Sequence, residues 1–302
     1  MAPKPLLFYD SGAGGLPYLA AARVCLPSER YLYLADREHF PLGEKPAELV
    51  RRLVLESVSL AIERFNPRLV VIACNTASVV ALELLREHFP IPFVGVVPAV
   101  KPAALSLAGG KLAVVATRQT ASGPYLDGLI REFADGREVL KIPVADLVDF
   151  AEYRYLAAGP AERLEAVRRA LAPVLPLQVQ TVVLGCTHFV LLELEFRAVL
   201  TDRVALIDSR EGVTRRIVSL LTGEQGSSDS PQAEQADPLC PVPSTGGQRR
   251  RESSRTGKTG SAANAVGSEL FLHGGVDEAD RYRAFAQHFS LSYRGQLDEG
   301  RL

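Results

Sequence analysis

The sequence predicts an α/β fold built on mainly parallel sheets, and three observations carry that prediction. Short apolar runs recur at LLFY (6–9), RYLYLA (30–35), LVVIA (69–73), FVGV (93–96), KLAVVAT (111–117), TVVLG (181–185) and VALI (204–207), each of strand length and suited to burial on both faces. Between them, 46–65, 76–88, 98–108, 161–172 and 211–221 place apolar residues three and four apart, as helices covering such a sheet must. The residues directly after several runs are small, polar or reactive, and open parallel sheets bind ligands beyond those strand ends.

The chain has 302 residues, of which 47% are hydrophobic. That suffices for two compact domains, with one also allowed. A formal net charge of -1 and a pI near 6.5 give no general attraction to nucleic acid or to anionic membrane, so a small-molecule substrate is expected. Only four apolar or aromatic residues precede Asp10 after Lys4 and Pro5, too few for a signal-peptide core. No stretch approaches the ~18 apolar residues of a membrane span. Cys25, Cys74, Cys186 and Cys240 lie far apart without CxxC spacing, so neither a metal site nor a disulfide framework is expected. These features predict a cytoplasmic protein with free thiols.

From Glu224 to about Ser268 the composition turns to Gly, Ser, Pro, Gln and Thr, with QRRRESSRTGK inside it. Hydrophobic period is lost there, which reads as a disordered insertion, and its basic run Arg249, Arg250 and Arg251 reads as a solvated linker or, alternatively, a contact for nucleic acid or a partner. After it, ELFLHGG and VDEADRYRAFAQHF predict one more strand and helix returning to the fold.

The first run is followed by Asp10-Ser11-Gly12-Ala13-Gly14-Gly15, the third ends at Cys74-Asn75-Thr76, the fifth at Thr117 with Thr120, and the sixth at Cys186-Thr187-His188. Gly12 and Gly14, with Asp36 some way on, invite a dinucleotide reading. Pro17 stands where the third glycine belongs, and Asp10 would oppose a pyrophosphate. Cys74 and Cys186 end similar runs and precede similar turns, ACNTAS and GCTHF, as counterparts in two halves of the chain would. A lone strand-end cysteine is commonly a small buried apolar residue. Two, each flanked by Thr and by Asn or His, point to chemistry. A helix starting at either turn would aim its amides at the thiol and lower its pKa. His188 can approach a shared ligand, or serve as a cap or surface histidine. Asp10 can N-cap the first helix, take a ligand's ammonium group, or both.

At FYDSGAGGL (8–16), FPLGEK (40–45), ACNTAS (73–78), GVVPA (95–99), ATRQT (116–120), LGCTHF (184–189) and DSREGV (208–213), the sequence resembles the bacterial glutamate racemases of the aspartate/glutamate racemase group. ACNTAS together with GCTH is the specific part. The resemblance implies two similar flavodoxin-like domains facing across a cleft, roughly 1–97 with 208–302 around 98–207. It implies racemization without cofactor or metal, one thiolate taking the α-proton and the other thiol returning one from behind, to supply D-glutamate for peptidoglycan. It makes Cys74 and Cys186 the acid/base pair, assisted by Asp10 and His188. Asp10, Ser11, Leu42, Gly43, Asn75, Thr76, Thr187 and His188 would bind the amino acid. Homodimers are common among such enzymes, which leaves a homodimer open here.

Three places depart from the family pattern. Pro41-Leu42-Gly43 lacks the usual tyrosine, so only backbone amides remain there. Phe189-Val190 replaces the tyrosine-proline after the CTH, changing the helix start. A glutamate the family places near one thiol has no clean match in IPVADLVDFAEY (142–153), where Asp149 and Glu152 both stand open. The alternatives are a racemase for aspartate or another amino acid with the same mechanism, and a non-catalytic regulatory homologue.

Overall fold

A computed structural model of the chain describes residues 3–105, 110–223 and 267–297. Two parallel sheets organise them. The first contains β1 (Leu6–Asp10), β2 (Tyr31–Asp36), β3 (Leu69–Ile72) and β4 (Phe93–Gly95). The second contains β5 (Leu112–Ala116), β6 (Val139–Pro143), β7 (Thr181–Gly185) and β8 (Ala205–Ile207). The chain then returns to the first sheet with β9 (Glu269–His273) and β10 (Ser292–Gln296).

The strand orders are β10-β9-β2-β1-β3-β4 and β6-β5-β7-β8. Removing the two late strands leaves the same order, second-first-third-fourth, in each sheet. That order places the crevice between the first and third strands, where successive connections leave to opposite sides. Strands β1, β3, β5 and β7 are buried along their whole length, which is why they read as unbroken apolar runs rather than alternating ones.

The described helices are α1 (Leu16–Cys25), α2 (Ala47–Phe65), α3 (Asn75–His88), α4 (Val100–Leu105), α5 (Arg118–Ser122), α6 (Pro124–Phe133), α7 (Asp146–Tyr153), α8 (Pro160–Leu171), α9 (Thr187–Val190), α10 (Glu193–Leu200), α11 (Arg210–Thr222) and α12 (Ala279–His288). Helices α1, α3, α5 and α9 follow strand ends directly and position the site, and the remaining helices cover the sheets. Pro124 and Pro160 begin α6 and α8, where a missing N–H costs nothing. Asn66 ends α2 in the left-handed region at φ 45, a C-cap role that asparagine tolerates. Pairs α2 with α3, α1 with α11, and α8 with α10 pack together. One core cluster reaches from Phe8, Tyr31 and Tyr282 to Val115, Leu184 and Phe196, joining the two sheets.

Several expectations change. Strands β6 and β10 and helices α5, α6, α7 and α10 were not predicted. Strand β6 is only half-buried, and its VLKIP lacks the apolar continuity of a central strand. Asp10 is not an N-cap, because α1 starts at Leu16 with Gly15 in the capping position. Cys25 is disulfide-bonded, so the expectation of free thiols holds for Cys74 and Cys186 but not for Cys25. The expected disordered insertion at 224–268 lies outside the described residues except for Gly267 and Ser268. No described helix is long and apolar enough to cross a membrane.

Candidate active site

Cys74 and Cys186 occupy equivalent turns. Each follows a third strand of its sheet and is the N-cap of the next helix, with φ -131 and ψ 123 at Cys74 and φ -140 and ψ 136 at Cys186. Neither side chain caps its own helix. Both thiols are buried and both line one cavity. Ser11, Leu42, Gly43, Asn75, Thr76, Thr187 and His188 line it too, joined by Thr117, Arg118, Val148 and Asp149 from the second half. The structure therefore brings all but one of the expected site residues to one cavity.

The exception is Asp10, which stands behind the lining. Its Oδ1 accepts the Gly12 N–H at 2.8 Å and its Oδ2 accepts the Thr187 hydroxyl at 3.0 Å. Burial pushes its pKa up to about 6, although His188 and these two donors pull the other way. The glycines beside it serve closeness rather than a phosphate. A Cβ on Gly14 would meet His188 Nδ1 at 2.5 Å and Thr187 Oγ1 at 2.6 Å, and one on Gly12 would meet Glu152 Oε2 at 2.5 Å. The DSGAGG loop is the surface against which the second half of the site is pressed.

Between Asp149 and Glu152, the structure separates the roles. Asp149 faces the cavity, whereas Glu152 lies behind His188, whose Nε2 is 2.9 Å from Glu152 Oε2. Glu152 also accepts the Ala13 N–H at 2.8 Å and the Tyr282 hydroxyl at 2.6 Å, and Arg37 Nη1 lies 3.4 Å away. Burial alone would raise its pKa, but His188, Arg37 and Tyr282 together hold it down at about 2. His188 behaves in the complementary way. Burial disfavours its charge, yet hydrogen bonds to Cys186 and Glu152 raise its pKa to about 10, so the ring keeps its proton at neutral pH.

Cys74 differs. Burial raises its pKa well above the ordinary thiol value, and the Asp10 carboxylate adds to this, outweighing the amide of Ala77. The expectation that a helix start lowers the thiol pKa fails at Cys74, because desolvation exceeds the amide dipoles. Beside it, both polar atoms of the Asn75 side-chain amide are buried with no hydrogen-bond partner among the described residues. An unmet amide on a cavity wall is a group waiting for a ligand. Thr76 Oγ1 is 3.1 Å from Thr117 Oγ1, which donates to Thr120 Oγ1 at 3.1 Å, so hydroxyls of both halves meet at the cavity.

Sequence reasoning missed Arg37 and Tyr282 and left Glu152 undecided. The available signal was on α7, where Glu152 shares a helical face with buried Val148 and is itself buried. A carboxylate on the apolar face of a short amphipathic helix calls for a buried partner. Nothing local marks Arg37 or Tyr282, whose contacts with Glu152 cross 115 and 130 positions of sequence.

Two buried thiols line one cavity, with a buried carboxylate near one and a protonated imidazole near the other, the kinds of group that proton transfer to and from a small substrate requires. The chain belongs to the Asp/Glu/hydantoin racemase family, whose model matches residues 20–217. It is 43% identical over 238 residues to a glutamate racemase of Klebsiella pneumoniae, covering 78% of this chain and 82% of that protein. Its structure is similar to that of the Escherichia coli glutamate racemase in complex with L-glutamate and the activator UDP-MurNAc-Ala. There the TM-score is 0.78 at 33% identity, over 97% of this chain and 98% of that one. The Thermus thermophilus glutamate racemase in complex with β-chloro-D-alanine gives 0.65 at 27% identity, over 96% of both chains.

Proposed function

We propose that this enzyme interconverts L-glutamate and D-glutamate, with Cys74 and Cys186 as the two acid/base groups on opposite faces of the α-carbon. The sulfur acting as base, in its thiolate form, takes the α-proton and the Cα–H electron pair stays on carbon. The opposite thiol then gives its proton to the other face. The net change is inversion, with the two thiols exchanging protonation states. The observation that carries this reading is the pair of buried thiols in equivalent turns lining one cavity.

Asp10 beside Cys74 and His188 beside Cys186 are the groups this reading assigns to assist the two thiols, and His188, titrating at about 10, carries a proton at neutral pH that it can share with Cys186. The Asn75 amide and the Thr76, Thr117 and Thr187 hydroxyls are the polar groups for the substrate's carboxylates and ammonium. Amides at the starts of α3 and α9 stabilise the carbanion-like state in a water-poor site. The division into 1–97 with 208–302 and 98–207 belongs to this reading, supported by the repeated strand order. So does a cytoplasmic role supplying D-glutamate for peptidoglycan.

The test follows the loss of circular-dichroism signal from L-glutamate and from D-glutamate, without added cofactor, for the wild type, Cys74→Ser and Cys186→Ser. Turnover of both enantiomers, abolished or greatly reduced by either change, is expected. No turnover of glutamate but turnover of aspartate would replace the substrate and keep the mechanism. No turnover of either would overturn the enzymatic reading.

A further inference from the structure

We propose that Asp36, His39 and His273 form a binding site for a borderline divalent cation, best matched by zinc, outside the catalytic cavity. Asp36 and His273 are register partners on the neighbouring parallel strands β2 and β9, each the last residue of its strand. His39 follows three residues after Asp36. One ligand atom from each of the three lies within 4.8 Å of the other two. None of the three lines the cavity that holds the thiols.

The carboxylate is the first argument. Asp36 is fully buried, and its Oδ2 already accepts from Tyr9 Oη at 2.7 Å and Ser57 Oγ at 2.7 Å, with His39 Nδ1 at 2.9 Å. Its Oδ1 has no hydrogen-bond partner among the described residues. The adjacent guanidinium, Arg37, is turned elsewhere, toward Glu278, Glu152, Tyr153 and the ring of Phe40. A buried carboxylate is ordinarily paired, or coordinates a metal. Here one oxygen is held by two hydroxyls and His39, the other has no partner among the described residues, and ligand atoms of both imidazoles lie within 4.8 Å of the carboxylate.

The ligand set is the second argument. Two imidazole nitrogens and one carboxylate oxygen suit zinc and similar cations, and three protein ligands leave a fourth position for water. The shell around them is built. Tyr9 and Ser57 orient the carboxylate, and Glu38 Oε2, 3.4 Å from His273 Nε2, is placed to orient that ring. The two rings lie 5.7 Å apart between centroids, so small rotations bring their nitrogens to one ion. Entry of the cation displaces the proton shared by His39 and Asp36, and the imidazole lone pair takes its place. Cysteine spacing gave no hint of metal binding, because no cysteine takes part and His273 is reached only when the chain returns as β9. An occupied site would clip β2, the 37–40 loop and β9 together, next to Phe40 and Pro41 of the cavity wall.

The test uses chelator-stripped full-length protein in a Cys74→Ala/Cys186→Ala background, so that the cavity thiols do not compete for metal. Zinc is titrated by calorimetry and cobalt(II) by visible absorption. One equivalent of either is expected to bind, with cobalt d–d bands and no thiolate charge-transfer band. His39→Gln and His273→Gln should each weaken binding by about tenfold or more. Zinc should raise the melting temperature of the parent but not of His273→Gln, because only a ligand held by the folded state stabilises it. Absence of binding, or binding that survives either histidine substitution undiminished, would overturn the site.

Discussion

Cys74 and Cys186 sit in matching turns of sheets with matching strand order, and their backbones nearly superimpose in φ and ψ. Their surroundings do not match. Cys74 faces a carboxylate, Asp10, and an amide without a partner, Asn75. Cys186 touches a protonated imidazole held by Glu152, itself tied to Arg37 and Tyr282. The repeat supplies two equivalent places for a sulfur, and neighbours drawn from elsewhere in the chain give the two sulfurs different electrostatic settings, a carboxylate at Cys74 and a protonated imidazole at Cys186.

The strongest challenge to this contrast is removal of either sulfur. Cys74→Ser and Cys186→Ser should each lower turnover by about 10²–10⁴-fold or more, the usual weight of a positioned acid or base. A mild loss at one site would mean that only one thiol moves protons. His188→Gln separates the sides more finely. The enantiomers have equal free energy, so kcat/KM must fall by the same factor in both directions. The α-deuterium isotope effect should grow in only one, measured with each deuterated enantiomer.

Glu152→Gln keeps the shape and removes the charge that holds the imidazolium. Activity should fall about 10–100-fold, and the alkaline limb of the pH–rate profile should move to lower pH. The same groups shape stability. His188 titrates at about 10 when folded against an ordinary 6.5. Its contribution is full below pH 6.5 and is lost as pH rises towards 10. Glu152 titrates at about 2 against 4.5, so its contribution is full above pH 4.5 and is lost as pH falls towards 2. Urea unfolding across pH should show the alkaline loss in the wild type and a flatter curve in His188→Gln.

Gly14→Ala forces a methyl into His188 and the Thr187 hydroxyl. It should cost about 1–3 kcal/mol in the same unfolding assay, whereas Gly212→Ala, with nothing within 4 Å, should be neutral or slightly stabilising. The smallest effect is expected at Leu42→Tyr, which restores the family's hydroxyl at the cavity. It should change KM by a few-fold and leave kcat nearly unchanged.

The parallel strands were legible because burial on both faces leaves an unbroken apolar run, as at Leu69–Ile72 and Thr181–Gly185. The two cysteine turns were legible because reactive side chains stood at those strand ends. Strands β6 and β10 were not, since half-buried strands carry Lys141 and Arg294 among their residues and lose the signal. The electrostatics of the site were only partly legible. Asp10 and His188 are local to their motifs, while the charges that set their protonation come from Glu152, Arg37 and Tyr282, whose proximity is a product of tertiary packing.

Tyr282 reaches Glu152 from α12, which the chain makes only after both sheets have received their first four strands. A chain emerging from the ribosome therefore carries both sulfurs long before it can hold His188 in its final setting. Its last elements act as the closing stitch: until α12 docks, a nascent chain has the reactive atoms but lacks one of the donors that hold Glu152 behind them.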